Sequence, residues 1–271
     1  MSSQIPSLPV GPESTRVFVG YKLSALTRDQ FFRELGQTFM PGTPYMQAPL
    51  GLNAYVPAVL DPEEISEGLT DDTAKALPDE VALIVYESLD VYQLAREQSL
   101  RRRMYTHSHA AVFDMAAPGG GGQFPGTSAE PSVREARLCW HLFPNAIDWQ
   151  RGSTQLLLHA ADFDVSGSAE LQRQQTEAAR PLLQEAGVNQ VICVATPDYA
   201  VVWIHADSPV DVDELDLIHG SYVFEKRRLT AQAVSMPRLE EDLKEGLTIP
   251  GIEITEASMF NFVFDRNPLR A

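Results

Sequence analysis

The sequence predicts an α+β fold of two similar halves, each running β-α-β-β-α-β with an antiparallel sheet. Three observations lead there. Short β-rich runs (16–23, 81–87, 188–195) alternate with stretches whose apolar residues recur at helical spacing. A segment dense in glycine and proline, residues 117–131, separates the chain into two parts. Those parts have similar element content, which reads as repetition of topology without repetition of residues.

The first half begins with a strand over residues 16–23. Thr27 and Gln30 then form a capping box, in which each side chain satisfies a free backbone N–H at the other's end. Phe31, Phe32, Leu35 and Phe39 follow at helical spacing, with Pro41 and Gly42 as the expected stop. Residues 50–60 read as a second strand, where Pro57 indicates an edge or a bulge. An acidic loop, 61–80, leads to a strong strand over 81–87. Asp90 is the expected cap of a helix that turns Val91, Leu94, Ala95 and Leu100 inward and ends in Arg101, Arg102 and Arg103. Positive charge there would suit the negative end of the helix dipole. A short strand over 109–115 is expected to close this half.

In the second half, strands are expected over 136–143, 155–163, 188–195 and 200–205, the last two joined as a hairpin through Thr196, Pro197 and Asp198. Residues 169–186 read as a helix stopped by Gly187. A short helix (211–219), a final strand (228–236), and, beyond the repeat, a tail helix (239–245) and a run over 253–264 follow. The expected organisation is a first half over 1–116, a connector over 117–131, a second half over 132–238 and an extension over 239–271. Four consecutive glycines, Gly119 to Gly122, are expected to hold no regular structure and to behave as a flexible connector or long loop.

Composition narrows the functions. The chain has 271 residues, 44% of them hydrophobic, enough for a proper core. With 37 Asp and Glu against 21 Lys and Arg, the net charge of -16 disfavours nucleic acid and anionic membranes as partners. Cys139 and Cys193 stand far apart in apolar runs and read as small buried hydrophobes. No secretory signal and no apolar run near the ~20 residues of a membrane helix is seen, so a cytoplasmic location is expected.

The β-α-β-β-α-β order is that of ferredoxin-like units, and residues 92–115 add a likeness. The stretch Tyr105-Thr106-His107-Ser108-His109-Ala110-Ala111-Val112-Phe113-Asp114 resembles the His-Pro-x-His motif of stress-responsive proteins in the dimeric α/β-barrel superfamily. That superfamily also includes antibiotic-biosynthesis monooxygenases. Here the spacing is His-x-His and the proline is missing. The resemblance covers roughly the first 115 residues by pattern and the rest by topology. It implies a homodimer paired through its sheets, an apolar cavity, and proton transfer by His107 or His109 with Tyr105.

Read as an extended segment, residues 107–113 put His107, His109, Ala111 and Phe113 on one face. Imidazole titrates near neutrality and serves as a general base there. Arg103, Tyr21, Tyr55, Tyr86 and Phe113 are the expected substrate contacts. The resulting expectation is a cofactor-independent enzyme of cyclase, isomerase, lyase or oxygenase type, acting on a small apolar or aromatic molecule. A non-catalytic ligand-binding or assembly protein of the same fold is the contrasting reading. A haem enzyme built from two ferredoxin-like halves is a third, with His219 as axial ligand. A metal is not expected: His107 and His109 would need a third ligand, and Asp114 would face the other way, although His141, His159 and His205 on other strands were candidates to converge. The glycine run lacks the pattern of a nucleotide-binding loop, and no Gly-x-Ser-x-Gly elbow appears.

Overall fold

The computed structural model describes residues 14–47, 50–59, 77–98, 100–124, 138–141, 153–160, 173, 177, 187–196, 199–210, 232–233 and 262–265. The chain is α+β, as expected. The first half contributes β1 (Thr15–Gly20), α1 (Arg28–Glu34), a π-helical turn (Leu35–Phe39), α2 (Met40–Gln47), β2 (Leu52–Val59), β3 (Glu80–Tyr86), α3 (Leu89–Gln98), α4 (Leu100–Val112) and β4 (Gly121–Gln123). Later come β5 (Leu138–His141), β6 (Ser153–Ala160), β7 (Val188–Ala195), β8 (Tyr199–Ala206), β9 (Gln232–Ala233) and β10 (Phe262–Asp265).

The first sheet has the order β4-β1-β3-β2-β10-β9, and its first four strands have the ferredoxin-like arrangement. The second sheet runs β5-β7-β8-β6. Its β7-β8-β6 core repeats the antiparallel β2-β3-β1 pattern of the first half, while β5 flanks β7. All described pairings are antiparallel except that of β9 with β10. The final strand expected over 228–236 is represented by β9, which lies with β10 in the first sheet and not beside β6. The expected helices over 211–219 and 239–245 lie outside the described residues, as does most of the one over 169–186, of which Arg173 and Glu177 are helical.

Strand alternation sorts the core into two layers. Val17, Val19, Ala54, Val56, Val81, Leu83 and Val85 from the first sheet meet Cys139, Ile192, Val194, Tyr199, Val201 and Trp203 from the second. The two sheets therefore pack face to face within one chain. On the other side of the first sheet, Phe18, Tyr55, Ala82, Ile84 and Tyr86 pack under Phe31, Phe32, Leu35, Phe39, Met40, Tyr92 and Val112 from the helices. The central strands β3 and β8 are buried at every position, as their apolar runs require.

The Thr27–Gln30 capping box forms, with both reciprocal bonds in place. The expected stop at Pro41 does not occur. The helix widens into the π turn, where the Met40 N–H bonds the Leu35 carbonyl, and Pro41 then falls in the first turn of α2. A missing N–H is tolerated at such a position. Pro57 lies where β2 pairs with β3 but beyond Ala54 and Tyr55, the residues that β10 pairs, and the register irregularity sits at Leu52–Ala54 instead. Ser88, not Asp90, caps α3, its Oγ accepting from the Val91 N–H; Leu94 is exposed at the surface.

Two corrections concern the end of this half. Residues 109–115 are not a strand: α4 runs through Val112, and the three arginines lie in its first turns instead of ending a helix. The closing strand is β4, within the glycine run itself. Gly121, Gly122 and Gln123 pair with Val19, Phe18 and Val17. Glycine is used here for space, since a Cβ on Gly122 would lie 2.3 Å from Arg16 Cζ. The guanidinium fills that place, donating to the Gly122 carbonyl at 3.2 Å and lying 5.7 Å from the Tyr92 ring centroid.

Candidate active site

Helical geometry separates the two histidines that an extended segment would have put together. Residues two apart on a helix point about 200° away from each other at 3.6 residues per turn. His107 is exposed, and His109 is buried with 5% exposure. The end of α4 is fixed where the chain leaves β1. The Leu23 N–H bonds the Val112 carbonyl, and the Asp114 N–H bonds the Tyr21 carbonyl. Gly20 allows this approach, because a Cβ there would stand 2.5 Å from the Phe113 ring.

His109 consequently enters the helix–sheet layer. Its ring centroid is 4.7 Å from that of Phe39, 5.0 Å from Phe18 and 6.1 Å from Phe113, with Phe39 and Phe18 edge-on. Phe113 in turn meets Phe18, Phe31 and Phe39. The imidazole is thus walled by aromatic rings from β1, the π turn and the residue that follows α4.

The same layer holds an acid that pattern reading placed in a loop. Glu80 opens β3 and is completely buried. It occupies the face of Ala82, Ile84 and Tyr86 by strand alternation. Tyr55 donates its hydroxyl hydrogen to Glu80 Oε1 at 2.9 Å, and among the described residues Glu80 Oε2 has no hydrogen-bond partner. Burial pushes the carboxyl up from 4.5 to about 8, against the smaller opposing effect of the Tyr55 bond. At neutral pH Glu80 is therefore a neutral acid. No local signal marks it, since its hydrogen-bond partner Tyr55 is 25 residues away.

Glu80 pairs with Gly20, and Ala82 with Phe18. Phe18 and Glu80 are diagonal neighbours on one face, a relationship of about 7–8 Å in an antiparallel pair. Phe18 thus touches His109 on one side and borders the Glu80 position on the other. Beside Glu80 in sequence, Asp79 is tied down separately by the Arg28 guanidinium and the Lys22 backbone N–H.

The other expected contacts divide. Tyr55 and Phe113 belong to this layer, as does Tyr86, whose hydroxyl donates to Gln47 Oε1 at 3.1 Å. Tyr86 stands at the opposite end of β3 from Glu80, roughly 20 Å along the strand. Tyr21 packs against the inter-sheet layer, on the far side of the first sheet from His109. Tyr105 precedes His109 by one turn of α4; its side chain and that of Arg103 are outside the described residues, as is His219.

A second polar set lies between the sheets. Thr15 Oγ1 and His141 Nε2 are 3.2 Å apart, and burial lowers the His141 pKa from 6.5 to about 4. In the β7–β8 register His141 aligns through Ile192 with Trp203, and His205 with Gln190 one row away. Both rows are on the far side of the first sheet from His109. Among the described residues no three His, Cys, Asp or Glu side chains converge as metal ligands would. Cys139 and Cys193 are both buried free thiols, and strand alternation turns them to opposite faces of the second sheet. Among the described residues no helix is long and apolar enough to cross a membrane.

Neither a protein-family model nor a curated protein matches the chain. Among solved structures it is similar to a putative monooxygenase of Fusobacterium nucleatum subsp. nucleatum, with 6% identity and a TM-score of 0.40, covering 71% of this chain and 75% of that one. A putative monooxygenase of Lactobacillus acidophilus NCFM gives 8% identity and a TM-score of 0.32, with 72% and 76% covered. At such values the likeness says nothing of chemistry.

Proposed function

We propose that the chain is a cofactor-independent enzyme that takes a proton from a small apolar or aromatic molecule held in the helix–sheet layer, with His109 as the base. Proton abstraction is the step shared by the cyclase, isomerase, lyase and oxygenase reactions expected from the sequence. The observation that carries this reading is the place of His109: an ionisable ring, buried, walled by Phe18, Phe39 and Phe113. Aromatic walls favour aromatic ligands, and exclusion of water strengthens a base's interaction with a developing charge. Tyr105, four residues earlier on α4, is the proposed hydrogen-bond donor to that charge. His107 is exposed, and its part in this reading is as the control.

The test needs no knowledge of the product. Small aromatic ketones and phenols are incubated with the protein in heavy water, and deuterium wash-in at acidic C–H positions is followed by NMR. Wash-in that His109→Ala abolishes and His107→Ala preserves supports the reading. Wash-in equal in wild type and His109→Ala overturns it.

A further inference from the structure

We propose that Glu80, held by Tyr55, is the hydrogen-bond donor that recognises a ligand oxygen in the same layer, so that the molecule taken up is a neutral aromatic ketone or related carbonyl compound. The inference rests on the reading of that layer as a ligand site and names the substrate class and a residue not otherwise assigned.

The geometry has three parts. First, Glu80 Oε1 is engaged as acceptor by the Tyr55 hydroxyl at 2.9 Å, which leaves Oε2 as the oxygen free to carry an acid proton. Second, Oε2 meets no partner among the described residues, although Glu80 has no exposure to solvent. A buried O–H without an acceptor is unfavourable, and a ligand carbonyl would relieve it. Third, the flanking groups are apolar or aromatic: Gly20 and Val59 pair with Glu80, and Phe18 lies diagonally across on the same face. Such a site matches a ligand with an aromatic body and one acceptor oxygen.

Chemistry favours a carbonyl over a carboxylate. A neutral carboxylic acid in an apolar setting donates to a carbonyl oxygen and strengthens that bond as negative charge develops there, whereas a ligand already charged would have to be desolvated. Tyr55 has a supporting part: its bond fixes which carboxyl oxygen is free. In this arrangement His109 would accept a proton from the carbon next to the carbonyl while Glu80 holds the oxygen by a hydrogen bond, its own proton staying in place.

The experiment compares 1-tetralone with tetralin, which has the same ring system and no oxygen. Equilibrium dialysis gives affinities, and infrared spectroscopy gives the C=O stretch of bound tetralone. Wild type is expected to prefer tetralone and to shift its carbonyl band to lower frequency. Glu80→Leu is expected to weaken tetralone roughly ten-fold, the worth of one buried hydrogen bond, while leaving tetralin binding unchanged. Glu80→Gln keeps volume and polarity and serves if the leucine variant does not fold; its bound carbonyl band is expected to move back part of the way. Equal tetralone affinity and an unmoved band in both variants overturn the inference, as does a wild type that binds neither compound. Deuterium wash-in that depends on His109 but not on Glu80 overturns this inference and leaves the function proposed above standing. A Glu80-dependent band shift without His109-dependent wash-in does the reverse.

Discussion

The Tyr55 hydroxyl reaches Glu80 Oε1 at 2.9 Å although Tyr55 pairs with Ile84, and Glu80 with Val59. The phenol leans along β3 to find the carboxyl in a layer closed to water. Burial in that layer, which the Tyr55 bond offsets only in part, makes Glu80 a titrating group of the folded state, and the pH dependence of stability is expected to report it.

The folded carboxyl, raised to about 8 from 4.5, holds a proton that the unfolded chain releases. Its stabilising contribution is complete below pH 4.5 and is lost as the pH rises through about 8. Each unit across that window is worth at most about 1.4 kcal/mol, a total on the order of a few kcal/mol. Urea denaturation between pH 6.5 and 9, above the range in which His141 acts, is expected to show wild type weakening with pH and Glu80→Gln weakening far less. Parallel curves would remove Glu80 as the cause.

His141 acts in the opposite direction. Its folded pKa of about 4 lies below 6.5, so the unfolded chain binds the proton first. Stability is present above pH 6.5 and falls as the pH drops towards 4. His141→Gln is expected to flatten this acid limb, by about 1–3 kcal/mol at pH 4, and to leave the limb between pH 6.5 and 9 as in wild type. Chemical denaturation at pH 4, 5 and 7 checks it.

Gly20→Ala is expected to destabilise the protein by about 1–3 kcal/mol. The new methyl would stand 2.5 Å from Phe113, a ring wedged among Phe18, Phe31 and Phe39 with no free direction of retreat. Thermal unfolding measures the loss. Because Phe113 also borders His109, deuterium wash-in should fall with it.

The exposed and buried histidines are expected to separate in stability as well as in activity. His107→Ala removes a side chain at the surface and should change stability by less than about 0.5 kcal/mol. His109→Ala empties part of the space among these aromatic rings and should cost about 1–3 kcal/mol. Denaturant titration of both variants at one pH gives the comparison.

The sheet faces expected to join two copies meet here within one chain, through Val17, Leu83 and Val85 against Ile192, Val201 and Trp203. Light scattering is expected to return the mass of a single chain. Twice that mass would show that the protein uses another face for a partner.

The sequence by itself determined the elements whose signals are local. The β1, β3, β7 and β8 runs fall close to where their apolar patterns placed them, and the Thr27–Gln30 box caps α1 because both partners lie within one turn. Tertiary structure decided the rest. Residues 107–113 satisfy two periodicities, since His109, Val112 and Phe113 fit one helix face as well as alternate residues fit a strand face; contacts with Phe18 and Phe39, distant in sequence, select the helix. The Gly121–Gln123 strand forms because the edge of β1 offers it partners and Arg16 fills the space above it. Glu80 looks like one more residue of an acidic loop until β1 and β2 close around β3. Periodicity records which way a side chain faces, whereas burial and protonation depend on what the folded chain brings against it.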